Sequence, residues 1–539
     1  MTKLAHIFTL LVLMAAVPRL YGQELVKDIR LGSAPSQPRA MVPVGDHFFF
    51  EAWTDENGRE LWVSDGTAAG TKMVIDIAPG AESSRAEPLV AIGNILYFNT
   101  QNPGAFWKTD GTEVGTEKLV EFWSGSARRA WVVGNIVFFI HHPGNGGLLW
   151  YTDGTPSGTR YANEFGAGQP TTDNIGDDLV VFGGSVYFTA SQSGLNAAVW
   201  KIQPPNMIPE KVLLEIFHPL RLLATPTKLF ILNVETREIN SLWVSEDPLN
   251  EATKVAVFSG RGPSSDARFI GSNNEWVYFN AEDGIHGFEP CVSDGTTSGT
   301  QVLRDANPGA GSFFVGESMA FNNDFFFAMP DPVFGQELWK TDGSEDGLSL
   351  FKDINLGLGH ASVQNLFVTD RGMVFSATDG VHGNELWITT GLSHQTEMIS
   401  DINPGANSSS PGAFLQLGDY LYFSATQEDT GKELWRLDLS TITTDIDRAP
   451  VIPQHYTVSP ASPNPFSSVT QLSYDFPPGY VRIDLFNALG QLVMNLYDGY
   501  QHARLADVSV NAGGLVSGIY YVRFLTGSFI TTRKVVLVR

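Results

Sequence analysis

The feature that most constrains this 539-residue chain is a short segment that keeps returning. It reads Glu60-Leu61-Trp62-Val63-Ser64-Asp65-Gly66-Thr67, with relatives at Trp107 to Thr112, Trp150 to Thr155, Cys291 to Thr296 (including Asp294 and Gly295) and Glu337 to Ser344 (including Trp339 and Asp342). Shortened copies end at Trp387 and Trp435, and decayed ones keep Trp200 and Leu242-Trp243. The anchors at 62, 107, 150, 200, 243, 291, 339, 387 and 435 are spaced by 45, 43, 50, 43, 48, 48, 48 and 48 residues, so one unit is used nine times. Within a unit, short runs rich in Val, Ile, Phe, Tyr and Trp are separated by Gly, Asn, Asp and Pro, as in Pro88 to Ile92, Ile95 to Phe98 and Val74 to Ile77. This predicts four strands per unit and leaves no room for a sizeable helix. The fold class expected is all-β: a propeller of four-stranded blades.

A propeller must join its last blade to its first or leave strand edges open. The ninth unit ends at Trp435 without a fourth strand. Its missing piece is expected at the other terminus, where Leu25-Val26-Lys27-Asp28-Ile29-Arg30-Leu31-Gly32 matches Leu350-Phe351-Lys352-Asp353-Ile354-Asn355-Leu356-Gly357. Nine blades exceed the usual four to eight, so eight blades with one misread copy, or an open arc, are the alternatives.

Strand alternation puts Glu60, Trp62 and Ser64 on one face and Leu61 and Val63 on the other. The tryptophan is expected to fill the space between blades. Asp65, Gly66 and Thr67 read as a turn, with Asp and Thr bonding nearby backbone N–H groups and Gly taking positive φ. A ring of calcium sites would need the Asp-x-Asp-x-Asp-Gly spacing, which is missing. Asp283-Gly284-Ile285-His286 and Asp379-Gly380-Val381-His382 place histidines at hairpin tips; together with His141-His142 they read as solvated side chains, and no metal is assigned.

Composition narrows the class further. The chain is 43% hydrophobic and 12% aromatic with 17% charged residues, which suits an ordered globular protein. Its net charge is −24, residues 1–22 carrying +2 and residues 441–539 carrying +1, so the repeats hold the acidic excess. A nucleic-acid partner is thereby excluded. The single cysteine, Cys291, rules out an intramolecular disulfide and Cys-rich metal sites, and it stands where other units carry Trp, as a buried core residue. Lys3 followed by the apolar run Ile7 to Val17 predicts a signal peptide over residues 1–22, cleaved between Gly22 and Gln23; the run is too short to span a bilayer. The absence of a cysteine there removes a lipoprotein, and no membrane span is expected in the mature chain.

Residues 23–440 form the repeat domain, 441–456 a linker, and 457–539 a second domain. Alternating segments at Val469 to Tyr474, Val481 to Phe486, Gln491 to Tyr497, Ala506 to Val510, Ile519 to Phe524 and Thr532 to Val538 predict a small antiparallel β-sandwich. Its landmarks are Ser462-Pro463-Asn464-Pro465-Phe466, Val481 to Gln491, Gly514 to Val522 and Thr532 to Arg539.

Two resemblances follow from these residues. The repeat resembles the ELWxxDGT repeat of secreted bacterial proteins across residues 24–440, a family of mostly unknown biochemical role. The four C-terminal blocks resemble the sorting domain of the type IX secretion system of Bacteroidota. That resemblance implies export through the periplasm and across the outer membrane, with the translocon and sortase of that system as partners. It places recognition in the last strands, at Gly518, Tyr520, Arg533, Lys534 and Val535. Ser64 to Thr67 also resembles the Asp-box turn of sialidase propellers, but the spacing departs from it and no arginine triad accompanies it.

No His-Glu-x-x-His, Gly-x-Ser-x-Gly, P-loop or Rossmann fingerprint occurs. A carboxylate pair of the glycosidase type needs only to converge in space, so sequence leaves it open. The expectation is a secreted or surface-displayed propeller without enzymatic activity and without cofactor, binding an extracellular glycan or protein at one ring face. An extracellular hydrolase or lyase, or a structural envelope component, is the alternative, and the chemistry of the channel mouth discriminates: unlike residues favour ligand binding, a uniform ring favours a scaffold.

Overall fold

The computed structural model describes residues 22–144, 146–162, 172–192, 197–212, 219–236, 239–246, 251–259, 267–273, 276–282, 287–303, 315–344, 347–442, 457–476, 479–487, 492–501, 505–526 and 529–539. The signal-peptide region 1–21 and residues 443–456 of the linker lie outside them, as do Asp283 and His286. Two compact units emerge, the first running to Ile442. Among the described residues, helical structure is limited to two short 3-10 turns, Ser393–Gln395 and Leu439–Thr441.

The first unit consists of nine antiparallel four-stranded blades. Blade one runs Arg39–Val44, His47–Thr54, Gly58–Ser64 and Lys72–Ile75, in spatial as well as chain order. Blade nine takes three strands from Gly412–Leu417, Tyr420–Gln427 and Gly431–Asp438, and its fourth from the N-terminus. There Gln23–Lys27 runs antiparallel to the third strand, Leu25 opposite Trp435 and Glu24 opposite Arg436. Single bridges connect blades three and four (Gly147 to Ile175) and blades five and six (Ser259 to Glu282).

The first strands are innermost: Arg39–Val44 lies beside both Glu87–Ile92 of blade two and Gly412–Leu417 of blade nine. The repeat explains the packing. Side chains on a strand alternate between faces, so Leu61 and Trp62 face different neighbours. Leu61 joins Leu96 and Phe98 of blade two, whereas Trp62 joins Tyr422 and Leu434 of blade nine. The same relation holds at Leu386 and Trp435, which share one core between blades eight and nine, and Cys291 takes the tryptophan's place against Phe230 and Leu232 of blade five. Ile442, two residues past the expected boundary, is buried in the same core as Trp435, because the 3-10 turn folds it back onto the last blade.

The second unit is a β-sandwich. A three-stranded sheet (Thr457–Val458, Val469–Asp475, Leu505–Asn511) and a four-stranded one (Leu492–Gln501, Gly479–Asn487, Gly518–Thr526, Phe529–Leu537) enclose a core that includes Leu472, Val508, Ile483, Val522 and Val535. Ser462 to Phe466 docks on the last strand: Asn464 donates to the Lys534 carbonyl at 3.0 Å and accepts from Val536 N–H at 2.8 Å.

Candidate functional site

The two ends of the ring differ in chemistry. One end carries the turns after the third strands, where Asp, Gly and Thr recur. Asp65 accepts from the Thr67 N–H at 2.8 Å and hydroxyl at 2.7 Å, Ser64 accepts from Gly66 N–H at 2.9 Å, and Thr67 accepts from Gly70 N–H at 3.0 Å. The turns at Asp110, Asp153 and Asp294 repeat the Asp-to-Thr bonds, and Asp342 does so with Ser344. These bonds favour the ionised form, holding the Asp65, Asp110, Asp153 and Asp342 carboxyls below their usual range. Gly66 has φ +84°, and a Cβ there would collide with the Tyr422 hydroxyl of blade nine. The turn saturates itself and locks onto the preceding blade: Arg436 of blade nine donates to the Gly66 carbonyl at 2.8 Å.

The other end carries the hairpins between second and third strands, the crossovers between blades and the starts of the innermost strands. Here the glutamate of the repeat has a task that sequence reading missed. Glu60, Glu337, Glu385 and Glu433 are fully buried, and each receives N–H groups from the crossover that follows. Glu60 takes Ser84 N–H at 2.9 Å and its hydroxyl at 2.5 Å; Glu385 takes Ile402 at 2.9 Å and Ser409 at 2.8 Å. Glu433 takes Ile29 at 2.9 Å and Ser36 at 2.7 Å, so the junction between blades nine and one uses the same clamp with its donors on the N-terminal segment. Burial pushes Glu337 up to about 8 and Glu385 and Glu433 up to about 7. The signal that marks the clamp is a serine 24 residues after the glutamate, at Ser84 and Ser409. Asp28, Asp76, Asp353 and Asp401 stabilise the crossover turns by accepting an N–H four residues on, Asp28 from Gly32 at 3.2 Å.

Inside these clamps the blades stop resembling one another. Each Trp anchor pairs with a second-strand residue, and the residue after that partner marks one level of the ring. At this level the innermost strands present Arg39 (opposite Glu51), Glu87 (opposite Asn99), Arg129 (opposite Ile140), Arg221 (opposite Leu232), Arg268 (opposite Asn280), Gln364 (opposite Ser376) and Gly412 (opposite Ser424). In blade seven the Glu317 carbonyl accepts from Ala328 N–H at 2.9 Å. All seven pairs sit beside a β-bulge, which bends the strand and re-aims its side chains. At this level the innermost strands therefore carry unlike residues, four of them arginine, within an acidic chain.

The mouth is most developed over blades one to three. Glu51, fully buried, is held by Arg39 and lies 3.8 Å from Arg59; burial raises its carboxyl despite these charges. Arg59 feels the charges of Arg39 and Arg85, and Arg85 donates to Gln101 at 3.2 Å. Asn99 is 1% exposed, with neither amide atom hydrogen-bonded.

The histidines depart from expectation. His141 is buried, not solvated: its ring stacks on Phe122 at 3.9 Å, and Nε2 is 2.7 Å from the Ser124 carbonyl oxygen. His141 lies within the strand Ile136–Gly144, opposite Leu148, with its ring packed on Phe122, so it does not stand at a hairpin tip. His382 is half-buried and paired with Asp379 at 2.9 Å, which raises its pKa. Among the described residues, no three His, Cys, Asp or Glu side chains converge as a metal site. Cys291 is buried. In the sandwich, Gly518, Tyr520, Arg533, Lys534 and Val535 fall on one strand pair, with Tyr520 opposite Val535 and Tyr521 opposite Lys534. Arg533 donates to the Val458 carbonyl at 2.9 Å, Lys534 is exposed and Val535 buried.

Residues 462–538 match the family described as the secretion system C-terminal sorting domain. No curated protein matches the chain. Among solved structures, the β-propeller domain of the Trilobed protease from Pyrococcus furiosus is 10% identical over 69% of this chain and 98% of its own, with a TM-score of 0.34. PorZ, a surface component of the type IX secretion system of Porphyromonas gingivalis, is 12% identical over 94% and 82%, with a TM-score of 0.25. A puromycin hydrolase is 12% identical over 64% and 58%, with a TM-score of 0.32, so this chain spans little more than half of that enzyme.

Proposed function

We propose that this chain is a secreted or cell-surface β-propeller without enzymatic activity that binds an extracellular ligand at the arginine-bearing mouth of its ring. The observation that carries this reading is the break in repetition at one register level, where Arg39, Glu87, Arg129, Arg221, Arg268 and Gln364 replace one another on innermost strands whose outer parts are built alike. A scaffold has no use for such variety, because a repeat whose only task is to pack is served by the same residue in every blade. The sorting domain supports delivery by the type IX system, with its translocon and sortase as partners and Gly518, Tyr520, Arg533, Lys534 and Val535 as recognition residues. Cleavage between Gly22 and Gln23 precedes that step.

The test is a glycan and protein array probed with the purified chain from Gln23 to Arg539, wild type beside Arg39→Ala/Arg221→Ala/Arg268→Ala. Binding that the triple variant loses while its melting temperature holds supports the reading. Binding that survives all three substitutions refutes it.

A further inference from the structure

We infer that the export machinery reads the outward face of the last two strands, at Ile519, Tyr521, Lys534 and Val536, an inference that rests on the type IX delivery reading. The two sheets of the sandwich wear different outer faces. Alternation turns Leu472, Tyr474, Val508 and Val510 of the three-stranded sheet into the core and leaves Gln471, Ser473, Asp507 and Ser509 in water, as a half-buried antiparallel sheet requires. In the four-stranded sheet the same alternation sends Val522, Phe524, Val535 and Leu537 inward. Its outward side is apolar all the same. Ile519 stands opposite Val536; Tyr521 stands opposite Lys534 on one side and Phe486 on the other, with Leu492 opposite Phe486. Leu492, Ile519 and Tyr521 are exposed, and so is Val538, the next residue on that side of the last strand. Folding gains nothing from such a face, and a contiguous exposed apolar patch marks a contact surface.

The five signature positions sort by the same parity. Tyr520 and Val535 are buried, the Tyr520 hydroxyl donating to the Val516 carbonyl at 2.9 Å. Arg533 turns to the other sheet, where its guanidinium donates to the Val458 carbonyl at 3.1 and 2.9 Å. Gly518 has no side chain to offer. These four are positioning residues, holding the strand pair in place against the core. Lys534 alone among the five presents an exposed side chain, and it emerges beside Tyr521 and Val536.

A partner that added a strand at this edge would find it taken. Asn464 holds the Lys534 carbonyl and the Val536 N–H, while Phe466 pairs with the Val536 carbonyl and the Val538 N–H. Recognition over Lys534 to Val538 therefore goes through side chains rather than backbone. Charge narrows the partner further. Asp484 is fully buried and already held by Arg482 at 3.0 Å and Asn495 at 3.0 Å, with Arg523 at 3.6 Å, and Asp498 lies opposite Arg482 further along the sheet. Next to the apolar block stand Lys534 and Arg523, whose guanidinium lies over the Phe486 ring at 4.3 Å. The partner that fits is a folded protein surface bringing apolar side chains to Ile519, Tyr521 and Val536 and a carboxylate to Lys534.

The experiment expresses the full chain in a host with the type IX system and measures the fraction that reaches the surface or medium. Lys534→Glu and Ile519→Thr/Tyr521→Thr/Val536→Thr are each expected to cut that fraction at least fivefold and leave the protein in the periplasm. Lys534→Arg and the opposite-face control Gln471→Thr/Ser473→Thr/Ser509→Thr should stay within twofold of wild type. Threonine keeps strand propensity, so melts of the purified chains from Gln23 to Arg539 should superimpose. If the apolar triple variant melts earlier, Lys534→Glu, at an exposed position, decides alone. Normal export of both test variants, with export lost on removal of residues 443–539, overturns the inference and leaves the delivery reading standing. Normal export without residues 443–539 overturns that reading and the inference with it. Equal loss in the opposite-face control overturns the inference, since export then follows any change to the sandwich. A purified chain that is dimeric, and monomeric in the apolar triple variant with its export unchanged, gives the face to a second copy and also overturns it.

Discussion

Replacing Glu433 by Ala should open the ring at the junction of its two chain ends. Glu433 is fully buried and accepts from Ile29 N–H at 2.9 Å, Ser36 N–H at 2.7 Å and the Ser36 hydroxyl at 2.6 Å. The hydroxyl can turn elsewhere, but two amides lose their partner. Buried donors left unpaired cost about 1–3 kcal/mol each, which puts the loss at about 2–6 kcal/mol. At about 2 °C per kcal/mol for a body of this size, the melting temperature falls by about 4–12 °C. Glu385→Ala is the control, since it removes the same bonds between blades eight and nine: Ile402 at 2.9 Å, Ser409 N–H at 2.8 Å and its hydroxyl at 2.6 Å. Both variants should melt earlier, but only Glu433→Ala releases a segment held by no neighbouring covalent bond, the donors of Glu433 lying 404 and 397 residues away in sequence. Hydrogen exchange separates them. Residues 25–36 should lose protection in Glu433→Ala and keep it in Glu385→Ala. Equal protection of 25–36 in both, or a melting temperature for Glu433→Ala within about 1 °C of wild type, would show that the N-terminal strand is held by side-chain packing and that the clamp contributes nothing.

Three further outcomes are expected. Because burial raises the folded-state pKa of Glu433 and Glu385 to about 7 and of Glu337 to about 8, against an ordinary value near 4.5, the folded ring binds more protons than the unfolded chain across that interval; stability is greatest near pH 4.5 and falls as pH rises to 8, which thermal melts at pH 5 and pH 8 would check. Gly66→Ala should destabilise more than Gly80→Ala, since both have positive φ, +84° and +88°, but a Cβ meets the Tyr422 ring only at Gly66; the difference, about 1–3 kcal/mol from overpacking, is read from paired denaturant melts. Cutting the chain after Ile442, rather than after Thr441, should keep the ring's melting temperature because Ile442 is part of the last core, while export in a type IX host is lost and the ring accumulates in the periplasm; surface display of the truncated form would make the sandwich an accessory domain.

The repeat made the blade count legible because packing imposes it. Each blade needs one large side chain toward its predecessor and one aliphatic toward its successor, and Leu-Trp at 61–62, 386–387 and 434–435 writes that requirement into adjacent letters. The match of Leu25 to Gly32 with Leu350 to Gly357 was legible for the same reason, since both strands cover equivalent edges. The clamp was not, because Glu60 bonds mainly to backbone N–H groups, which every residue but proline owns and no letter records. Only the serine 24 positions downstream betrays it. The mouth was hidden by its bulges: a bulge shifts register by one residue, so whether Arg128 or Arg129 stands at the level of Arg39 is decided by hydrogen bonding rather than by counting. His141 was misjudged because its partner Phe122 belongs to a crossover whose path no spacing predicts.

The two ends of the ring also explain why variation sits where it does. At the Asp-Gly-Thr end each turn is pinned by the blade before it, as Gly66 is by Tyr422 and Arg436, and Gly154 by Lys108 at 2.7 Å; a new side chain there must be accommodated by a neighbouring blade as well as its own. At the opposite end the clamps fix the crossover by its backbone, through Glu433 to Ile29 and Ser36 or Glu385 to Ile402 and Ser409, which leaves the residues that follow, Gln37, Arg85, Ser362 and Ser410, held at positive φ from 45° to 53° with no demand on their side chains. Strain of this kind persists only where surrounding bonds over-determine it. A backbone held so firmly can carry Arg39 in one blade, Glu87 in the next and Gly412 in another without disturbing the ring. The buried glutamate thus does for the innermost strands what a framework does for variable loops: it separates the residues that hold the fold from those that vary from blade to blade.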